Sequence, residues 1–393
     1  MVWQRVRKRL LVGVCVAAVV AAGTEAASSQ PTGGTILIGG VVGASGAYGE
    51  IGVNMINAGK IAVDQLNAKG GLLGKKVEWQ YADDGGNPTK GAQLFQKFVS
   101  AGAVAIVGSG DTGPATAAMS QKLHVPNIGI VDGGGPVVYP KGPGTPPLPW
   151  VFEYSTSTYE LGGAIARYAL AHCKKTALLH DQTSYGEGAN QAISYGFKKA
   201  GKKLVANDTI TEDWSNAATV DISPEVQKIK DTGADCVIPW LNPENTARFV
   251  QTARSLSAKF KILANDAAYG DVTYPKLAGA AADGTISAEL KALVTPNKAL
   301  LAYQRTYKQR FKATADIYGE QSYDSIMMLA QAIRQTKSTD ANKLRDALEK
   351  MSNYQGITGT LGFSKMKHES LQPSALVYIK YSAAKKKWVP IKG

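Results

Sequence analysis

Apolar residues along this 393-residue chain fall into two alternating textures. Short, nearly continuous apolar runs at 35–42, 77–81, 103–107 and 127–131 read as buried strands. Between them lie segments with helical spacing at 49–68, 88–101 and 114–123. Ala58, Ile61, Ala62 and Leu66 give the first helix one apolar face, and Lys69-Gly70-Gly71 ends it. Pro114 stands in the first turn of the third, where its missing N–H costs nothing. The alternation resumes with strands at 176–180, 203–208, 235–240 and 261–264 and helices at 188–200, 223–232 and 246–256. Two such series predict two parallel sheets, each with helices on both faces. The Pro/Gly-rich stretch 133–149 separates them and ends in Pro146-Pro147-Leu148-Pro149. A helical tail follows at 297–311, 322–335 and 341–351, then a hairpin from 374–381 and 387–391. There is no tandem repeat of solenoid period.

The N-terminus has a different pattern. Arg5, Arg7, Lys8 and Arg9 precede an apolar run at 10–22, and Thr24-Glu25-Ala26 follows with small residues at cleavage spacing. That order is a secretory leader over residues 1–26. The run is shorter than the ~20 residues a membrane span needs. Cys15 follows Val14 inside the apolar run, where a lipidation signal would place a small residue, so the leader reads as secretion. The rest of the chain is long enough for two domains, each with its own core.

The formal charge is +13, of which residues 1–26 carry +3 and the remainder +10. Much of the excess is in lysine pairs such as Lys75-Lys76, Lys174-Lys175 and Lys202-Lys203, which read as solvated turns and helix ends. Clustered arginine with interleaved aromatics is missing, which argues against a nucleic-acid partner. Beyond the leader, Cys173 and Cys236 are the cysteines. Export permits one bond between them, and two buried thiols are the alternative. No ligand pair has zinc-type spacing, so neither metal nor cofactor is expected.

Gly108-Ser109-Gly110-Asp111-Thr112-Gly113 matches G-x-G-x-x-G between a strand and a helix. It follows the third strand rather than the first, and export removes the chain from the nicotinamide pool. The same glycine turn and helix start can instead hold a small carboxylate, or be a tight turn with no ligand. There is no G-x-S-x-G, no H-E-x-x-H and no P-loop, and His124, His172, His180 and His368 lie far apart. The chain therefore reads as a binding protein and not an enzyme.

The landmarks also carry a family resemblance. Ala58-Gly59-Lys60-Ile61-Ala62-Val63-Asp64-Gln65-Leu66-Asn67-Ala68-Lys69-Gly70-Gly71 resembles the first helix and turn of the leucine/isoleucine/valine-binding protein family. Tyr81-Ala82-Asp83-Asp84 with Asn87-Pro88, Val107-Gly108, Val125-Pro126, Ser184-Tyr185-Gly186-Glu187-Gly188, Tyr323-Asp324 and Gly356-Ile357-Thr358-Gly359 resemble later landmarks, in order. These are solute receptors of ABC importers. The resemblance implies the α/β, two-lobed type I periplasmic binding protein fold, with three crossings placed near Phe152, Thr285 and Leu361. Lobe one would be 35–152 plus 286–361, and lobe two 153–285 plus 362–393. It also implies a periplasmic, monomeric protein that captures a small solute, an amino acid above all, and delivers it to a membrane permease.

Site residues follow by position. Thr112, in the loop Ser109-Gly110-Asp111-Thr112, would hold a solute carboxylate, assisted by Gly133-Gly134-Gly135 after the fourth strand. Asp266 would receive the ammonium. Tyr48 and Tyr185 would form walls, with Trp240 and Asn242 at the end of a lobe-two strand. The three glycines replace a segment that often carries a hydroxyl in the family, and Asp111 puts a negative charge beside Thr112. A plain carboxylate, an amide or urea is the alternative solute. A sensor subunit, or an enzyme whose distant residues converge, is the alternative of another class.

Overall fold

A computed structural model of the chain describes residues 34–45, 49–108, 112–129, 134–154, 156–212, 220–270 and 273–393. The leader, Tyr48, Ser109, Gly110, Asp111 and Gly133 lie outside the described residues. The first series of elements is β1 (Thr35–Val42), α1 (Gly49–Ala68), β2 (Lys76–Asp83), α2 (Pro88–Ser100), β3 (Ala103–Gly108), α3 (Gly113–Leu123), β4 (Asn127–Gly129), α4 (Gly135–Val138) and β5 (Val151–Glu153). Its strands form one sheet in the order β2-β1-β3-β4-β5, every pair parallel. Ile36, Ile38, Ala105 and Val107 point to one face, and Leu37 and Ile106 to the other. A strand covered on both sides has no polar face to show, so its sequence reads as a continuous apolar run.

The second series is α5 (Thr158–His172), β6 (Thr176–Asp181), α6 (Ser184–Lys199), β7 (Ala206–Ile210), α7 (Ser223–Asp231), β8 (Cys236–Trp240), α8 (Pro243–Ser255), β9 (Lys261–Ile262), α9 (Ala267–Gly270) and α10 (Thr273–Ala278). Its sheet runs β7-β6-β8-β9, again all parallel. Helices α5 and α6 cover one face, and α7, α8 and α10 the other. Cys173, which caps α5, is bonded to Cys236 at the start of β8, with the Cα atoms 6.0 Å apart. The sequence left this pairing open.

The tail holds β10 (Ile286–Leu290), α11 (Lys291–Val294), α12 (Lys298–Phe311), α13 (Ile317–Thr336), α14 (Ala341–Glu349), β11 (Tyr354–Gln355), β12 (Thr360–Leu361), β13 (Leu376–Ser382) and β14 (Lys387–Ile391). Leu329 and Ile333 of α13 bury themselves with Ile36 and Ile38 in the lobe-one core. Each such side chain taken out of water contributes about 1.5–3 kcal/mol. The expected hairpin forms as β13 and β14, and β10 joins it antiparallel.

Three differences from the sequence reading matter. Helix α5 and strand β10 had no counterpart in it. Helix α6 begins at Ser184, because the Thr183 hydroxyl caps it by accepting the Gly186 N–H. Tyr185 is therefore a first-turn helical residue. The lobe boundaries also shift. Ile286 and Ala288 of β10 pack in the lobe-two core and Leu290 in lobe one, so the chain passes between lobes along β10. Phe363, Leu371 and Ala375 still belong to the lobe-one core, which carries the last boundary beyond Leu361.

Candidate functional site

In each sheet the strand order reverses beside the first strand, between β1 and β3 and between β6 and β8. Open α/β sheets place ligands at such switch points, outside the carboxyl ends of the strands. In lobe one, Asp83 organises that end. Its carboxylate accepts the Ala44 N–H at 2.7 Å, the Gly85 N–H at 2.9 Å and the Ser45 hydroxyl at 2.6 Å. The Ser45 bond above all holds Asp83 below the usual carboxylate range. Gly108 ends β3 at φ +111°, where a side chain would strike the Val41 carbonyl.

Thr112 is placed with its side chain turned into the protein. Its side chain is fully buried, and its hydroxyl donates to Asp84 at 2.7 Å. A hydroxyl has one proton to give, so this one anchors the loop and leaves none for a solute carboxylate. Gly134 passes so close to Glu153 at the end of β5 that a Cβ would lie 2.0 Å from its carboxylate oxygen. Gly135 opens α4 against the Tyr159 ring. The next residue, Pro136, approaches α6 at Gly188, where an added Cβ would lie 3.3 Å from the proline ring. The glycine segment of lobe one thus sits beside the helix that carries Tyr185.

In lobe two the Tyr185 hydroxyl donates to the Asp266 carboxylate, across 81 residues of sequence. Burial raises the Asp266 pKa, with the Tyr185 bond opposing. The Tyr185 ring lies 5.5 Å from that of Trp240, which is fully buried in the lobe-two core and backs the tyrosine. Asn242 is also turned inward. Its side chain caps α8 by accepting the Asn245 N–H at 2.8 Å, and its backbone N–H donates to Glu212 at 2.7 Å. Tyr185 and Asp266 are the expected site residues that the structure joins directly. Trp240 supports them, and Asn242 shapes the strand end.

Several acids around the cleft escaped the sequence reading. Glu212 follows β7 and is 4% exposed. It accepts from Asn242 and, at 2.6 Å, from the Asn245 side chain. Burial, reinforced by Asp181, pushes it up to about 8. At the first crossing, the Ser157 hydroxyl donates to Glu369, and Lys367 pairs with Glu160 at 3.0 Å. The Glu153 N–H donates to the His368 carbonyl at 2.7 Å, and Ser370 returns a bond to Glu153 at 3.0 Å. Burial, with Glu160 nearby, pushes Glu369 up to about 8. In lobe one, Asp324 accepts from the Ile357 and Thr358 N–H groups and from Tyr154, tying the Gly356 turn to the hinge. Their sequence neighbourhoods share no common pattern: Glu212 is followed by Asp213, and Glu369 follows Lys367-His368. Among the described residues no group of three or more His, Cys, Asp and Glu is placed to hold a metal, and no helix is long and apolar enough to cross a membrane.

Two α/β lobes, each a parallel sheet covered by helices on both faces and joined by more than one chain crossing, set the frame for comparison with known proteins. The profile described as periplasmic binding protein matches residues 35–386. The Leu/Ile/Val-binding protein homolog 2 of Brucella abortus is 25% identical over 382 residues, covering 93% of this chain and 95% of its own. The crystal structure of a type 1 periplasmic binding protein from Bordetella pertussis Tohama I superposes with a TM-score of 0.72, at 24% identity over 91% of this chain and 100% of that one. A solute-binding protein of an ABC transporter from Rhodopseudomonas palustris BisB5, solved with 3,4-dihydroxybenzoic acid, superposes with a TM-score of 0.67 at 20% identity, over 88% and 93% of the two chains. The chain belongs to the periplasmic binding protein family, whose members are solute receptors and not enzymes.

Proposed function

We propose that this chain captures an amino acid, with an aliphatic one of the leucine, isoleucine and valine type as the leading solute, and delivers it to a membrane permease. The observation that carries the reading is Asp266: a desolvated carboxylate, oriented by Tyr185 and backed by Trp240, is suited to an ammonium group. The name of the Brucella relative supports the solute class. With Thr112 committed to Asp84, the solute carboxylate is met by backbone N–H groups around Gly134 and Gly135. The Cys173–Cys236 bond and the basic, then apolar N-terminus support export to the periplasm, where the chain acts as a monomer.

A second reading draws on the same missing hydroxyl. A site without a side-chain donor for a carboxylate also suits an amide or urea, and the 3,4-dihydroxybenzoic acid held by the Rhodopseudomonas palustris protein supports an aromatic acid without an ammonium group. A thermal-shift panel of amino acids, amides and aromatic acids separates the two. A ligand at ~100 times its Kd adds about 2.7 kcal/mol, a clear rise in melting temperature. Stabilisation by L-leucine or its neighbours supports the first reading. Stabilisation by amides or aromatic acids alone replaces it with the second.

A further inference from the structure

Lysines that the sequence sets in separate turns and helix ends come together along α6. The excursion from β4 to β5 belongs to lobe one but lies against α6 of lobe two. A Cβ at Gly144 would strike the Tyr195 hydroxyl, just as one at Gly188 would crowd Pro136. Between excursion and helix runs a groove. Its first part, about 500 Å³, has Pro140, Lys141 and Pro143 on one wall and Gln191, Tyr195 and Lys198 on the other. Its second part, about 410 Å³, continues past the end of α6 to Lys202 and Lys203, and shares Ser194 and Lys198 with the first. Both are of ligand size, and no acid lines either. Lys141, Lys198, Lys202 and Lys203 are exposed, and among the described residues none of the four is ion-paired. The acids nearest along α6 and β7 are already engaged: Glu187 accepts from Asn190 at 3.3 Å, and Asp208 pairs with Lys228. Lysine at a helix C-terminus complements the helix dipole, which accounts for Lys198. It does not account for Lys141, which comes from the other lobe.

We propose that this groove is a docking site for an extended acidic polypeptide segment, supplied by the membrane partner that receives the solute. Four ammonium groups with no acid among them suit a ligand that carries several negative charges. They are lysines, point charges on flexible stems, and no arginine fork lines the groove to grip a phosphate on two prongs. Carboxylates spaced along a chain match them. The site is a channel beside a helix and not a flat face, so it fits a strand of polypeptide better than a membrane surface. Gln191 to Lys199 covers about 13 Å of helix, the length of roughly four extended residues. One wall comes from each lobe, so a segment seated there touches both lobes at once. The inference takes from the delivery reading only the source of the segment.

The test is fluorescence anisotropy of labelled hexaglutamate titrated with the exported chain at low salt. The expected result is saturable binding that weakens as salt is raised. Combining Lys198→Glu with Lys202→Glu should weaken it by about tenfold or more. Combining Lys75→Glu with Lys76→Glu makes the same change of net charge on a lobe-one turn, and should alter it by less than about twofold. Equal losses in the two double variants overturn the groove and leave only the net charge of the chain. No binding of hexaglutamate also overturns it, and binding to phosphatidylglycerol vesicles in its place assigns the lysines to a membrane surface. Should the Lys198 and Lys202 variant fail to fold, Lys141→Glu alone decides: it should weaken hexaglutamate binding several-fold, and unchanged binding overturns the proposal. L-leucine should raise the melting temperature of every folded variant as it does that of the parent. A leucine shift without hexaglutamate binding removes the groove alone, and hexaglutamate binding without a leucine shift removes the amino-acid reading alone.

Discussion

Asp266→Asn separates binding from folding, because the two should move in opposite directions. The substitution removes one negative charge, keeps the shape, and leaves an oxygen to accept the Tyr185 hydroxyl. For binding, removing one partner of a desolvated, hydrogen-bonded charge pair costs about 2–5 kcal/mol, so L-leucine should bind about 30-fold to a few thousandfold more weakly. For stability the sign reverses. Burial raises the Asp266 pKa in the folded chain above its unfolded value. Such a carboxyl binds its proton more tightly when folded, so stability falls as pH rises from the unfolded toward the folded value, and the penalty is complete above it. Asparagine has no charge to desolvate, so the variant should melt higher than the parent near neutral pH. Calorimetry gives the Kd and a thermal melt gives the stability. Unchanged affinity would refute the ammonium role. Weak binding together with a lowered melting temperature would also refute it, by placing Asp266 in the fold and not in solute capture.

Thr112→Val should leave solute affinity within about twofold, yet cost about 1–3 kcal/mol in urea unfolding by stranding the buried Asp84 carboxylate; a large loss of affinity at unchanged stability would return Thr112 to the site. Reducing the Cys173–Cys236 bond, or replacing Cys236 by Ser, should lower stability by about 4 kcal/mol for a loop of this length, read from melts with and without reductant; identical melts would contradict the bond. Glu212, held up to about 8 by burial, should make the chain lose stability as pH rises from the ordinary glutamate range toward about 8. Glu212→Gln should flatten that part of the pH–stability profile measured by urea midpoints, and an unaltered profile would show that Glu212 is ionised without penalty.

The framework was readable where burial on both faces leaves an unbroken apolar signal. Strands β1, β3, β6 and β8 are of that kind, and their helices carry a single apolar face. Strand β10 was not readable, because Ile286 to Leu290 is short and is interrupted by Ser287 and Glu289. The start of α6 was hidden by glycines of low helix propensity at Gly186 and Gly188, and only the Thr183 cap reveals it. Tyr185 and Asp266 were each singled out by position, but the bond that joins them spans 81 residues and has no local pattern. Thr112 shows the same dependence on a distant partner. A hydroxyl in a glycine turn looks free until Asp84, 28 residues earlier, folds back and accepts its hydrogen bond. Side-chain pairings of this kind depend on the register of neighbouring strands, which apolar periodicity does not encode.

The most direct test of the account is the crystal structure of the exported chain grown with L-leucine. The account predicts one leucine between the lobes, its ammonium within about 3 Å of the Asp266 carboxylate, its carboxylate on backbone N–H groups near Gly134 and Gly135, and its side chain against Tyr185. A leucine bound elsewhere, or held in the cleft with its ammonium turned away from Asp266, would contradict it.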